Sequence, residues 1–141
     1  MKQSPSVRAF KNELMNYRFY QSREKKLNSL IEYCYHMLGG VRSPSLEMPT
    51  HARRSPDTEY RIRDEIERHR ENLASTQSKI RDIETILGLM EDEMREVVLR
   101  IYADGEKTEA VARKRYISAR GLHYQINKSI QRAIVTHYTQ L

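Results

Sequence analysis

Between Thr108 and Ile134 the chain carries side chains suited to touching a nucleic acid. At about 100° per residue, a helix over the second half of this stretch puts Leu122, Ile126, Ser129 and Ala133 on one face, with Ile130 and Ile134 at its edge. Arg120, Tyr124, Lys128 and Gln131 then point the opposite way, and His123 and Asn127 lie on the flank. The chemistry these types serve is base recognition: Arg forks onto guanine, Asn onto adenine, and Tyr packs on a thymine methyl or donates to a phosphate. The first turns of a helix laid in a major groove meet base edges, so Arg120, His123, Tyr124 and Asn127 are the candidate base readers. Lys107, Thr108, Lys114, Ser118, Lys128 and Arg132 are the candidate phosphate contacts. Ser118 is placed for a helix N-terminus, itself a phosphate-binding geometry.

The elements that must position these groups can be read backwards from them. Apolar residues at Val111, Ala112, Ile117, Leu122, Ile126, Ile130 and Ile134 predict a helix from about Thr108 to Arg115, a turn at Tyr116-Ile117, and a second helix to about His137. Ser118 is a good N-cap for that second helix. A helix, a tight turn and a helix with a basic outer face is the pattern of a helix-turn-helix. Before it, Glu91-Asp92-Glu93 opens a helix whose apolar face is Met94, Val97, Val98, Ile101 and Tyr102, ended by Ala103-Asp104-Gly105. Residues 89–141 are thus expected to form a DNA-binding domain.

Residues 1–88 are expected to be a helical hairpin or coiled coil. Ser6 could cap a helix near Val7, and nothing breaks a helix over about 7–38, though a break near Tyr17–Gln21 is the alternative. Gly39-Gly40 stops it. A loop covers 39–57, where Arg42, Arg53 and Arg54 could touch DNA. Ser55-Pro56-Asp57 then opens a long helix over 58–87. In it Ile62, Ile66, His69, Leu73, Thr76, Ile80, Ile83, Leu87 and Met90 recur at alternating steps of four and three, an unbroken heptad seam. Such a seam needs a partner: the N-terminal helix of the same chain, or a second subunit in a homodimer through residues 62–90. His69 and Thr76 are polar seam positions that read as register setters.

The chain has 141 residues, with 38% apolar and 31% charged, so its core is modest and much helical surface is solvated. Net charge is +6, unevenly spread: +5 for residues 1–57, −1 for 58–88, −3 for 89–104 and +5 for 105–141. A basic reading head fits phosphate attraction. The acidic Glu91–Glu96 segment is a candidate surface for polymerase. One cysteine, Cys34, leaves no intramolecular disulfide or Cys-based zinc site and reads as a buried, inert thiol. No apolar run is long enough for a membrane span, and no signal-peptide core is visible, so a cytoplasmic protein is expected. With no Gly-rich phosphate loop, no paired His ligands and no nucleophile–base set, enzymatic activity, a metal and a cofactor are not expected.

The C-terminal third resembles region 4 of sigma-70-type factors over MREVVLRIYADGEKTEAVARKRYISARGLHYQINKSIQRAI (Met94–Ile134), with Ala112 at the tight helix–helix contact and Ile117-Ser118 in the turn. Where such motifs often have Gly in the turn, this chain has Tyr116. Over roughly residues 7–136 the chain looks like phage late-gene transcriptional regulators of the RinA/ArpU type. The resemblance rests on Val7–Tyr20, an E-L-x-x-Y-x-x-Y signature, and on the order of the parts that follow. Arg18 stands where the usual form has Pro. The resemblance implies an all-α protein, with an N-terminal helical hairpin or coiled coil before a sigma region 4-like helix-turn-helix. It also implies activation of late phage genes with the bacterial host RNA polymerase. A phage small terminase subunit, a repressor and a protein-interaction module without DNA binding are the rival expectations.

Overall fold

The computed structural model describes residues 5–39 and 56–139. These residues form helices and short turns, with no strand among them: α1 (Pro5–Met15), α2 (Tyr17–Gly39), α3 (Pro56–Gly88), α4 (Asp92–Val98) running into a π-helical turn (Leu99–Ala103), α5 (Thr108–Lys114) and α6 (Ala119–Thr139). The expected all-α class is therefore what the structure shows. Most of the expected 39–57 loop, with Arg42, Arg53, Arg54 and the Ser55 cap, lies outside the described residues. No described helix is long and apolar enough to cross a membrane.

The N-terminal region is two helices rather than one over 7–38, as in the expected alternative, with the break one residue before Tyr17–Gln21. The break falls at Asn16, in a stretch without Gly or Pro. The Asn16 N–H bonds the Glu13 carbonyl at 3.0 Å in a tighter turn, and the Asn16 carbonyl accepts from the Tyr20 N–H at 2.9 Å as the next helix starts. The Asn16 side-chain amide donates to the Asn12 carbonyl at 3.1 Å, the local competition with the backbone that makes Asn a poor helix interior residue. Helix α1 begins at Pro5, so Ser6 lies in its first turn instead of capping it.

Contacts gather the chain into two compact units, residues 1–20 with 79–141 and residues 21–78. The division falls inside α2 and α3. In the second unit, α2 and α3 run antiparallel: Cys34 is buried with Ile62 and Ile66, flanked by Met37 and Leu38, while Gln77 donates to Glu24 at 3.1 Å. Arg70 sits over the Tyr35 ring and hydrogen-bonds its hydroxyl. Thr76 is buried, and its hydroxyl donates to the Asn72 carbonyl at 2.8 Å, so this polar seam position is satisfied within its own helix. Burial pushes the Cys34 thiol up, with Glu65 adding to the effect, which keeps it in the unreactive form.

The other unit has the larger core. Leu14, Ile83, Val98, Val111, Leu122, Ile126 and Ile130 are its largest fully buried side chains. Helix α1 packs on the π turn and on α6; α4 and α5 also pack on α6. The late seam positions Ile80, Ile83, Leu87 and Met90 belong to this core together with Val7, Phe10, Leu14 and Tyr17. Residues 89–141 thus share their core with α1 and the end of α3. Arg95 fixes the junction after α3: it donates to the Leu87 carbonyl at 2.8 Å and the Met90 carbonyl at 3.0 Å, and it pairs with Asp92 at 3.0 Å. Arg18 reaches Asp104 at 2.9 and 3.4 Å, a fork onto one carboxylate that ties the first turn of α2 to the end of the π turn.

Candidate nucleic-acid interface

Helices α5 and α6 are joined by a turn whose backbone closes α5 in a defined way. The Tyr116 N–H bonds the Arg113 carbonyl at 3.1 Å, and the Ile117 N–H bonds the Ala112 carbonyl at 3.1 Å. This nested pair is a Schellman motif, which needs a left-handed residue at its hinge. That residue is Tyr116, at φ 57°, the position where the resemblance has glycine. Ile117 packs against the core and anchors the turn. The Ser118 hydroxyl then accepts from the Gly121 N–H at 3.0 Å, the N-cap of α6 expected from the sequence. A Cβ on Gly121 would meet that hydroxyl at 3.1 Å, so the small residue leaves room for the cap.

With α6 oriented by Leu122, Ile126, Ile130, Ala133 and Ile134 in the core, its other side is open. Arg120, His123, Tyr124, Lys128 and Arg132 are exposed, and so are Lys107, Lys114 and Ser118. Thr108 is half-buried. A shallow depression where Lys107, Thr108 and His123 meet the carboxylates Glu106 and Glu109 brings the start of α5 to the first turns of α6. Lys128 lies over the Tyr124 ring, 5.7 Å from its centre, so these two work as a pair. Gln125 and Arg113 are also exposed here, beyond the residues expected from sequence, and outward position alone marks them.

Asn127 is less open than the other three candidate base readers. It is half-buried, and its Oδ1 accepts from the Lys11 ammonium at 2.5 Å, across 116 positions of sequence. Lys11 is 6% exposed and also sits 5.3 Å from the centre of the Tyr102 ring. No carboxylate pairs with it among the described residues; an amide oxygen and a ring face take that place. Burial lowers the pKa of Lys11, and burial raises that of Tyr102, whose hydroxyl is buried without a partner among the described residues.

Ion pairs gather on α4, the π turn and the end of α5. Arg95 pairs with Asp92, Arg100 with Glu106 at 2.9 Å and with Glu96 at 3.8 Å, and Arg115 with Glu93 at 2.9 Å. Three of the carboxylates in the acidic Glu91–Glu96 segment are thus engaged inside the chain. By contrast Lys107, Arg113, Lys114, Arg120, Lys128 and Arg132 are exposed and make no ion pair among the described residues. The α5–α6 surface therefore presents six cations outside ion pairs, against the two carboxylates Glu106 and Glu109 at the start of α5. No protein-family model, curated protein or solved structure matches this chain.

Proposed function

We propose that this chain is a double-stranded DNA-binding protein whose α5–α6 pair acts as a sigma region 4-like helix-turn-helix. The observation that carries the reading is the un-neutralised cation set on that surface, set beside paired arginines on α4, on the π turn and at the end of α5. A polyanion supplies the missing counter-charge. The capped, glycine-relieved start of α6 and its open outer face supply the groove-reading element. Arg120, His123 and Tyr124 are the base readers of this proposal. Lys107, Lys114, Ser118, Lys128 and Arg132 position the backbone, and Thr108, half-buried, stands beside Lys107.

The resemblance to late-gene regulators of the RinA/ArpU type extends the proposal to activation of phage late genes with the host RNA polymerase in a bacterial cytoplasm. Glu91 is the residue of the acidic segment best placed for polymerase, because Asp92, Glu93 and Glu96 already have arginine partners. A dimer through the 62–90 seam would have to exchange between chains the contacts that Ile62, Ile66, Ile80 and Ile83 make within one. Footprinting on the source genome tests the whole reading: a protected site upstream of an operon is expected, and no protection at low salt sinks it. A promoter–reporter assay then separates activator from repressor, and a ring of many subunits by mass would turn the reading to a terminase subunit.

A further inference from the structure

We propose that Tyr116 is itself a DNA contact: its hydroxyl donates to a phosphate oxygen of the backbone flanking α6. The inference rests on the DNA reading above and adds a residue that the readers and phosphate contacts chosen from sequence do not include. Tyr116 has the one positive φ of a non-glycine residue among those described, at 57°. A bulky side chain is disfavoured there, whereas glycine adopts it freely. The turn does not need the side chain, since main-chain bonds to Ala112 and Arg113 and the packing of Ile117 hold it. The side chain is 94% exposed, and neither its ring nor its hydroxyl has a partner among the described residues. So the fold gains nothing from a tyrosine at a place where it is strained, and strain of this kind collects at functional positions.

The surroundings say what it meets. Arg113 and Lys114 precede it and Arg120 follows it, all exposed and without an ion pair among the described residues. An exposed phenol donor amid uncompensated cations is suited to phosphate oxygen, which accepts from hydroxyls and is drawn by the same charges. Being neutral, the contact adds affinity without releasing a counterion.

The test uses the full chain, Tyr116→Gly, Tyr116→Phe and a short labelled random-sequence duplex, read by anisotropy across a salt series, with thermal unfolding alongside. Tyr116→Gly is expected to melt at a higher temperature than the parent. Both variants are expected to bind roughly fivefold more weakly, the worth of one hydrogen bond, with an unchanged slope against salt. Undiminished binding by either variant overturns the role of Tyr116, whether or not a protein partner uses that side chain. A parent chain that binds no duplex at low salt overturns the DNA reading, and Tyr116's role with it.

Discussion

Asn127 gives its carbonyl oxygen to Lys11, and that changes which base edge it can address. Forking onto adenine needs both ends of the amide, one accepting and one donating. With Oδ1 taken, only the NH2 end is left to donate. Lys11→Met frees the oxygen, so a selection of random sites is expected to shift toward adenine at the position Asn127 faces; an unchanged preference would mean that Asn127 does not reach a base. The same variant replaces a buried cation that lacks a carboxylate with an apolar chain of similar length. Urea unfolding is expected to show it neutral or more stable by about 1 kcal/mol. Tyr17 makes a pH prediction. Burial first, then the hydrogen bond to Glu84 at 2.7 Å and that carboxylate's charge, push its pKa up to about 12 from 10.0. A raised folded-state pKa gives stability that is present below pH 10 and is lost as pH rises toward 12. Tyr17→Phe is expected to be less stable at pH 8 and to lose less stability across that alkaline window in urea melts.

At the scale of elements, the junctions are held by few bonds, which makes them testable. Ser118→Ala removes the cap of α6 and is expected to lower stability by about 1 kcal/mol in urea. Arg95→Ala removes the side-chain donor from the Met90 carbonyl and from the Leu87 carbonyl, which keeps the Met90 N–H at 3.1 Å, and is expected to lose roughly 1–3 kcal/mol. The regular parts of the fold were legible because their period is local. The alternation of Ile62 through Met90 located α3, and Val111, Ile117 and Ser118 located the α5–α6 turn to within a residue. The break at Asn16 was legible only as an alternative near Tyr17–Gln21, because no Gly or Pro marks it and its cause is a short run of backbone bonds. The π turn at Leu99–Ala103 was not legible, because its sequence keeps a helical apolar period. At the candidate site, burial phase separated α6's inner face from its outer one. The capture of Asn127 depends on a residue 116 positions away, beyond the reach of any local pattern.

For the molecule as a whole, charge placement sets how binding responds to salt. If all six exposed, unpaired cations of α5–α6 and its approach meet phosphates, the slope of log affinity against log salt is expected near about −5, since each neutralised phosphate contributes roughly −0.9. A slope near zero on any duplex would remove the polyanion argument. Core membership makes a second prediction at this scale. Val98, Leu122 and Ile130 lie in one core with Leu14 and Ile83, so residues 89–141 expressed alone are expected to lose cooperative unfolding in circular dichroism. The docking of α1 on α6 also has a consequence for synthesis. A chain emerges from the ribosome in order, and α1 waits, its face of Val7, Phe10 and Leu14 without its α6 partner, until more than a hundred further residues have followed. The antiparallel pairing of α2 with α3 closes a far shorter loop and is available earlier. The core that α6 shares with α1 is therefore finished last, so an incompletely made chain can hold a formed α2–α3 hairpin while α1 still lacks its partner.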